Sequence, residues 1–156
     1  EGGVITAGNA SQITDCAAAV LDVNDAGLKK IKCDPLVKVK GISVVGDDPI
    51  LMLTGPIPAT KKVLSESKLN IDEIGLYEVN EAFAPVPLAW EIEVKADRSK
   101  LNVNGGAMAL GHPLGASGAK LLTTLIYEMH RRNEKYGLQA ICEGGGTANA
   151  TILEKV

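Results

Sequence analysis

Between Asn102 and Lys120 the chain reads NVNGGAMALGHPLGASGAK, which sets one imidazole, His112, among Gly105, Gly106, Gly111, Gly115 and Gly118. A histidine held in such a loop can act as a general base or donate a hydrogen bond to a developing oxyanion. Glycine there permits positive φ and close approach of backbone to a ligand. Two other stretches carry complementary groups. Asn80-Glu81-Ala82-Phe83 offers a side-chain amide able to orient a water or a carbonyl, and Cys142-Glu143-Gly144-Gly145-Gly146 offers a thiol followed by glycine amides. The thiol suits nucleophilic attack or proton transfer if its surroundings lower its pKa, and the amides at Gly144 suit an oxyanion. Singly, each has a plainer reading: Asn80 as a helix N-cap, Cys142 as a small hydrophobe, the glycines as turns.

These groups need elements to place them. Leu121, Leu122, Leu125, Ile126 and Met129 recur at helical spacing after the histidine loop, and the helix ends in His130-Arg131-Arg132, where cations suit the dipole. Asp25 to Lys32 is a brief helical turn. Gly55-Pro56-Ile57-Pro58 opens a helix with Val63 and Leu64 inward, and Ala82 to Val94 is helical, with Pro85 and Pro87 confined to its first turn. Strands are predicted at Ala17–Val23, Ile74–Val79, Leu138–Cys142 and Ala148–Leu153. A further strand, Val37–Val45, switches its apolar parity at Gly41, as a β-bulge does. Strands alternating with helices predict an α/β layered fold: a mixed sheet with parallel pairs, covered by helices and closed by a hairpin across Gly144–Gly146. In such a sheet the loops after strands gather at one edge, and all three chemical segments fall in such loops.

The chain has 156 residues, 46% of them hydrophobic and 22% charged, as in an ordinary soluble domain. Aromatics are 3%, so a core of Ala, Val, Leu and Ile is expected. A net charge of −3 without a basic run gives no footprint for nucleic acid, and no apolar run reaches membrane-spanning length. Cys16, Cys33 and Cys142 have no metal-site spacing, so no metal is expected. They fit a reducing intracellular setting, cytoplasmic in the first instance with mitochondrion or peroxisome as alternatives. Cys16 and Cys33 are assigned to packing, and His130 to the solvated surface.

Taken together and in order, Asn80-Glu81-Ala82-Phe83-Ala84, NVNGGAMALGHPLGASG and Cys142-Glu143-Gly144-Gly145-Gly146 resemble the C-terminal signatures of the thiolases. Thr6-Ala7-Gly8-Asn9-Ala10-Ser11 resembles a fourth family segment, in the pantetheine channel. The resemblance implies a two-step acyl exchange through a cysteine acyl-enzyme, reversibly cleaving or forming a 3-oxoacyl-CoA in fatty-acid and lipid metabolism. It implies coenzyme A and its thioesters as substrates, with no covalently held cofactor. His112 resembles the histidine that activates the nucleophile and holds the thioester oxygen, and Asn80 the asparagine that fixes a water completing that oxyanion hole. Cys142 resembles the cysteine that takes or returns the α-proton. The Gly144 amide resembles half of the second oxyanion hole, and Ala7 and Ser11 resemble residues touching the pantetheine arm. APVPLAW and CEGGGTANATILE look most like members that handle longer or bulkier acyl chains.

The chain departs from the family pattern at Gln12 and Cys16, where glycine is usual, and at Thr147-Ala148-Asn149. The family's nucleophilic cysteine has no counterpart here, since Cys16 lies outside its motif. The resemblance therefore implies the last two-fifths of a thiolase: residues 1–24 as the last segment of the N-terminal domain and 25–156 as the C-terminal domain. Such a chain is inactive without its N-terminal half and homo-oligomeric when complete. The alternative is a CoA- or acyl-binding module without turnover. A ketoacyl synthase is disfavoured, because those sites use a second histidine where this chain has Asn80.

Overall fold

The computed structural model describes residues 2–156. In chain order it contains α1 (Asp25–Ile31), β1 (Val37–Gly46), α2 (Pro56–Ser67), β2 (Leu76–Val79), α3 (Pro85–Val94), α4 (Ala107–Leu110), α5 (Ser117–Arg132), β3 (Tyr136–Cys142) and β4 (Thr147–Lys155). The strands form one sheet in the order β1-β4-β3-β2, parallel between β2 and β3 and antiparallel elsewhere. This is the mixed α/β sheet expected, with β3 and β4 joined by the glycine hairpin. The bulge is there too: Val39 pairs with Leu153 and Gly41 with Ile152, which leaves Lys40 as the extra residue.

Helices cover both faces, and the period of two along β3 sorts its side chains between them. Leu138 and Ala140 join a cluster with Val63 of α2 and Trp90 of α3. Gln139 points the other way and donates to the Gly118 carbonyl of α5 at 2.7 Å. On that side Leu125 and Met129 of α5 pack on Leu76 and Leu153. Gly137 is required there, because a Cβ would come within 2.5 Å of the Met129 sulfur. The prolines open their helices as expected, Pro56 at the start of α2 and Pro85 at the start of α3.

The purely aliphatic core is corrected. Few aromatics does not mean peripheral aromatics: Trp90 and Tyr77 are the largest fully buried side chains. Their rings meet edge to face at 5.3 Å. Burial is tolerated because each polar atom finds a partner: Trp90 Nε1 donates to Thr60 Oγ1 at 2.8 Å and the Tyr77 hydroxyl to the Ile71 carbonyl at 2.9 Å.

The predicted strand at Ala17–Val23 does not form. The segment lies outside the sheet and almost all of it is exposed. Strand character needs a ladder partner, and none is present for it among the described residues. Cys16 and Cys33 are exposed rather than packed. His130 is at the surface, its Nε2–H donating to the Leu36 carbonyl at 2.8 Å.

Candidate active site

Asn80 and Cys142 come together because β2 and β3 are parallel. Val79 pairs with Ala140, so the residues that follow leave the sheet side by side, and the Asn80 amide donates to the Ala140 carbonyl at 2.9 Å. Asn80 is not a helix cap: α3 is preceded by Ala84, which caps with no side chain. The Asn80 side chain is buried instead, and its Nδ2 has no hydrogen-bond partner. Two donor hydrogens buried with no acceptor in the chain cost stability, and they are the feature expected where a water or substrate oxygen must be met. Burial pushes the Cys142 thiol up from its ordinary pKa, against smaller opposing effects from a backbone hydrogen bond and from Asn80. The thiol therefore keeps its proton at neutral pH. That suits proton transfer better than a resting thiolate nucleophile.

Past Cys142 the hairpin turns through Gly144–Gly146, with Gly145 at φ 78° and Gly146 at φ 83°. Gly146 is pressed against the loop before α2, where an added Cβ would sit 2.6 Å from the Asp47 carbonyl oxygen. Gly144 remains exposed, with open space around it. Glu143 is folded back onto the hairpin, accepting from Thr147 Oγ1 at 3.2 Å and Asn149 Nδ2 at 2.5 Å. Thr147 and Asn149, two of the residues that depart from the family pattern, thus hold this carboxylate.

The histidine loop contains an element the sequence did not announce, the short helix α4. Gly105 and Gly111 bracket it at φ 90° and 83°. Glu81 pins its start by accepting from the Met108 amide at 3.0 Å, and a side chain at Gly106 would collide with that carboxylate. Lys120 pins its end, donating to the carbonyls of Leu110 and Gly111 at 3.1 and 3.0 Å. His112 follows, with Nδ1 2.6 Å from the Ser117 hydroxyl. Partial burial, and then the Lys120 charge, hold the His112 pKa below the ordinary imidazole value. The ring is neutral at pH 7 and free to take a proton.

The N-terminal segment stitches the first two loops together. Ser11 donates its amide to Ala82, and the Asn9 carbonyl accepts from Ala84, both at 2.9 Å, while the His112 amide donates to the Gln12 carbonyl at 2.8 Å. Ser11 is half-buried in this seam, whereas Ala7 is exposed. The Asn80 and Cys142 segments lie at the carboxyl end of the parallel pair, as expected for loops that follow strands; the His112 loop is a correction, because it joins α4 to α5 and is brought to that edge by the N-terminal seam instead.

Sequence reasoning missed Glu78. It is 2% exposed inside β2 and lines a crevice with Asn80, Gly111, Ser117 and Lys120. Burial, reinforced by Glu128, raises its pKa to about 8, with Lys120 opposing and Glu81 adding a smaller push. The available signal was a carboxylate inside the apolar run Leu76-Tyr77-Glu78-Val79. Among the described residues no group of three or more His, Cys, Asp or Glu is arranged to hold a metal ion, and no helix is long and apolar enough to cross a membrane.

Residues 33–155 match the thiolase C-terminal domain family. The whole chain is 54% identical to the steroid 3-ketoacyl-CoA thiolase FadA6 of Mycobacterium tuberculosis and covers 38% of its length. An acetyl-CoA acetyltransferase of Syntrophomonas wolfei is 47% identical, over 99% of this chain and 39% of its own. The crystal structure of human mitochondrial 3-ketoacyl-CoA thiolase superposes with a TM-score of 0.90 at 41% identity, covering 99% of this chain and 39% of that one; the same enzyme is known in complex with CoA. The chain thus spans about two-fifths of the length of these relatives. Its mixed sheet, its three loops in their order and these identities agree: the chain belongs to the thiolase family.

Proposed function

We propose that this chain supplies the acid/base part of an acetyl-CoA C-acyltransferase, which reversibly cleaves or forms a 3-oxoacyl-CoA. One observation carries the reading: the buried Cys142 thiol lies beside the buried Asn80 side chain, at the edge to which the His112 loop is pinned. In the synthetic direction Cys142 first gives its thiol proton to the CoA thiolate released as the acyl-enzyme forms; the resulting Cys142 thiolate then takes an α-proton from acetyl-CoA and becomes the thiol again. The electron pair of the broken C–H bond moves into the thioester as an enolate, whose oxygen His112 and an Asn80-held water stabilise. The enolate carbon then attacks the acyl-enzyme carbonyl, the new C–C bond forms, and the nucleophilic sulfur departs. In the cleavage direction the Cys142 thiol returns the proton. A raised thiol pKa serves this step, because a more basic thiolate is the better match for a weakly acidic C–H. The amide of Gly144 is assigned to the oxyanion of the acyl-enzyme, and Ala7 and Ser11 to the pantetheine arm.

The nucleophilic cysteine comes, on this reading, from an N-terminal half outside these 156 residues. Residues 1–24 belong with that half and 25–156 form the C-terminal domain; the exposed apolar strap around Ala17–Val23 is where the two meet. The assembled enzyme is an intracellular homo-oligomer acting on CoA thioesters, and its relation to a steroid thiolase favours bulky acyl chains. The test is CoA-dependent thiolysis of acetoacetyl-CoA, followed with intact mass spectrometry, by the chain alone and joined to a thiolase N-terminal half. The chain alone should neither turn over nor carry an acyl group. In the joined protein Cys142→Ser should lower kcat about 10²- to 10⁴-fold. Unchanged thiolysis would overturn the assignment, as would an acyl group on Cys142, which would make it the nucleophile.

A further inference from the structure

The hydrogen bonds of Ser117 determine which nitrogen of His112 carries the proton. Ser117 opens α5, is 4% exposed, and touches two groups through one oxygen. Its Oγ lies 3.0 Å from the Pro113 carbonyl oxygen and 2.6 Å from His112 Nδ1. A carbonyl oxygen can only accept, and a serine hydroxyl has a single proton to give. If that proton goes to Pro113, the serine oxygen can only accept from the ring, so Nδ1 must be protonated. The opposite arrangement, with the hydroxyl aimed at a bare Nδ1, would leave two oxygens facing each other at 3.0 Å with no proton between them.

We propose that Ser117 is a positioning residue that holds His112 as its Nδ1–H tautomer and thereby presents Nε2 as the basic nitrogen. Nε2 has no hydrogen-bond partner among the described residues, so its lone pair is available. The second nitrogen of a working histidine is commonly fixed in this way by a hydrogen bond to a neighbour. Here the same helix turn does two jobs: Ser117 sets the tautomer, and Lys120, one turn on, clamps the two carbonyls that precede the ring. The lowered His112 pKa is consistent with a neutral ring, and Glu78 and Lys120 are the titratable groups lining the crevice behind the loop. The inference rests on the proposed role of His112 as base, but the tautomer itself can be read without turnover.

The chain contains two histidines, His112 and His130, so imidazole nitrogen NMR of the 156-residue chain resolves both, with His130→Asn assigning them. At about pH 8, above the usual imidazole range, His112 should show a protonated Nδ1 and a bare Nε2. Ser117→Ala should lose the Nδ1–H pattern, and Ser117→Thr, which keeps the hydroxyl, should retain it. A wild-type His112 protonated on Nε2 would overturn the proposal, whatever the variants do, and so would an unchanged pattern in a folded Ser117→Ala. If the tautomer follows the hydroxyl but the joined enzyme shows no thiolysis, the reading of the function fails while the positioning by Ser117 stands.

Discussion

At the β2 edge of the sheet a loop residue finishes the ladder, whereas at the β1 edge apolar side chains face solvent. Asn102 lies alongside Val79 and copies the bonds of an added strand: its Oδ1 accepts from the Val79 amide and its Nδ2 donates to the Val79 carbonyl, each at 2.9 Å. Its own amide donates to the Tyr77 carbonyl at 2.9 Å. Asparagine is apt there because the backbone has φ 46°, a region it tolerates better than most residues. Across the sheet, α5 packs on β2, β3 and β4. Ile42 and Val44 of β1 are left 59% and 61% exposed, and Leu21 of the unpaired strap is 75% exposed. The groups able to do chemistry all sit at the finished side. Their geometry is set by bonds made within this chain, and the exposed apolar rows take no part in it. Such surfaces mark contact with another polypeptide, which is how the proposed N-terminal half would use them.

The largest expected effect comes from unpicking the finished edge. Asn102→Ala leaves the Val79 amide and carbonyl without their side-chain partners and forces alanine into a left-handed conformation. About 2–4 kcal/mol of stability should be lost, measurable by urea denaturation. Because Asn80 follows Val79 directly, the same variant should also disturb the His112 NMR signals. A loss below about 0.5 kcal/mol would show that the edge holds without it.

Most of this arrangement was legible in the sequence. The spacing gave α2, α3 and α5 through their prolines and apolar stripes, the Gly41 bulge through its parity switch, and the glycine hairpin through Gly144–Gly146. The three loops were recognisable because their residue types are unusual together. What was not legible depends on contacts between segments distant in sequence. The apolar run Ala17–Val23 looks like a strand, yet strand formation depends on a neighbour. Nothing in the sequence marks Ser117, whose role appears only when His112 folds back over it. Nothing marks Lys120 either, which donates to carbonyls ten and nine residues back. Trp90 was lost in an average over composition, although one large side chain can fill the centre of a core.

An intermediate effect should appear at Glu78, on the finished side. Its folded pKa of about 8 lies above the ordinary carboxylate value of 4.5, so the folded chain binds the proton more tightly than the unfolded one. Its favourable contribution is full below about pH 4.5 and is lost as pH rises through about 8. Across that window it should lower stability by up to about 1.4 kcal/mol per pH unit. Glu78→Gln, which keeps the shape without the titration, should flatten this part of the profile and leave the variant the more stable protein at about pH 9. Denaturation midpoints of both proteins from pH 5 to 9 check it. Parallel profiles would mean that the carboxylate finds solvation in the crevice.

The smallest effect should come from the unfinished side. Leu21 and Val44 are 75% and 61% exposed, so replacing either with serine removes little buried apolar surface. Each change should move the stability of the chain by no more than about 0.5 kcal/mol, in contrast to the loss at Asn102. Serine at either position should instead weaken association with the N-terminal half, because there the same side chains would be buried, at about 25 cal/mol per Å² of apolar surface. Measuring both quantities on the same variants sets the two regions against each other directly. Unchanged stability with weakened association would place these residues at an interface. A large loss of stability in the isolated chain would mean that these side chains pack within the chain, and that the contrast between the two sides of the sheet is weaker than their exposure implies.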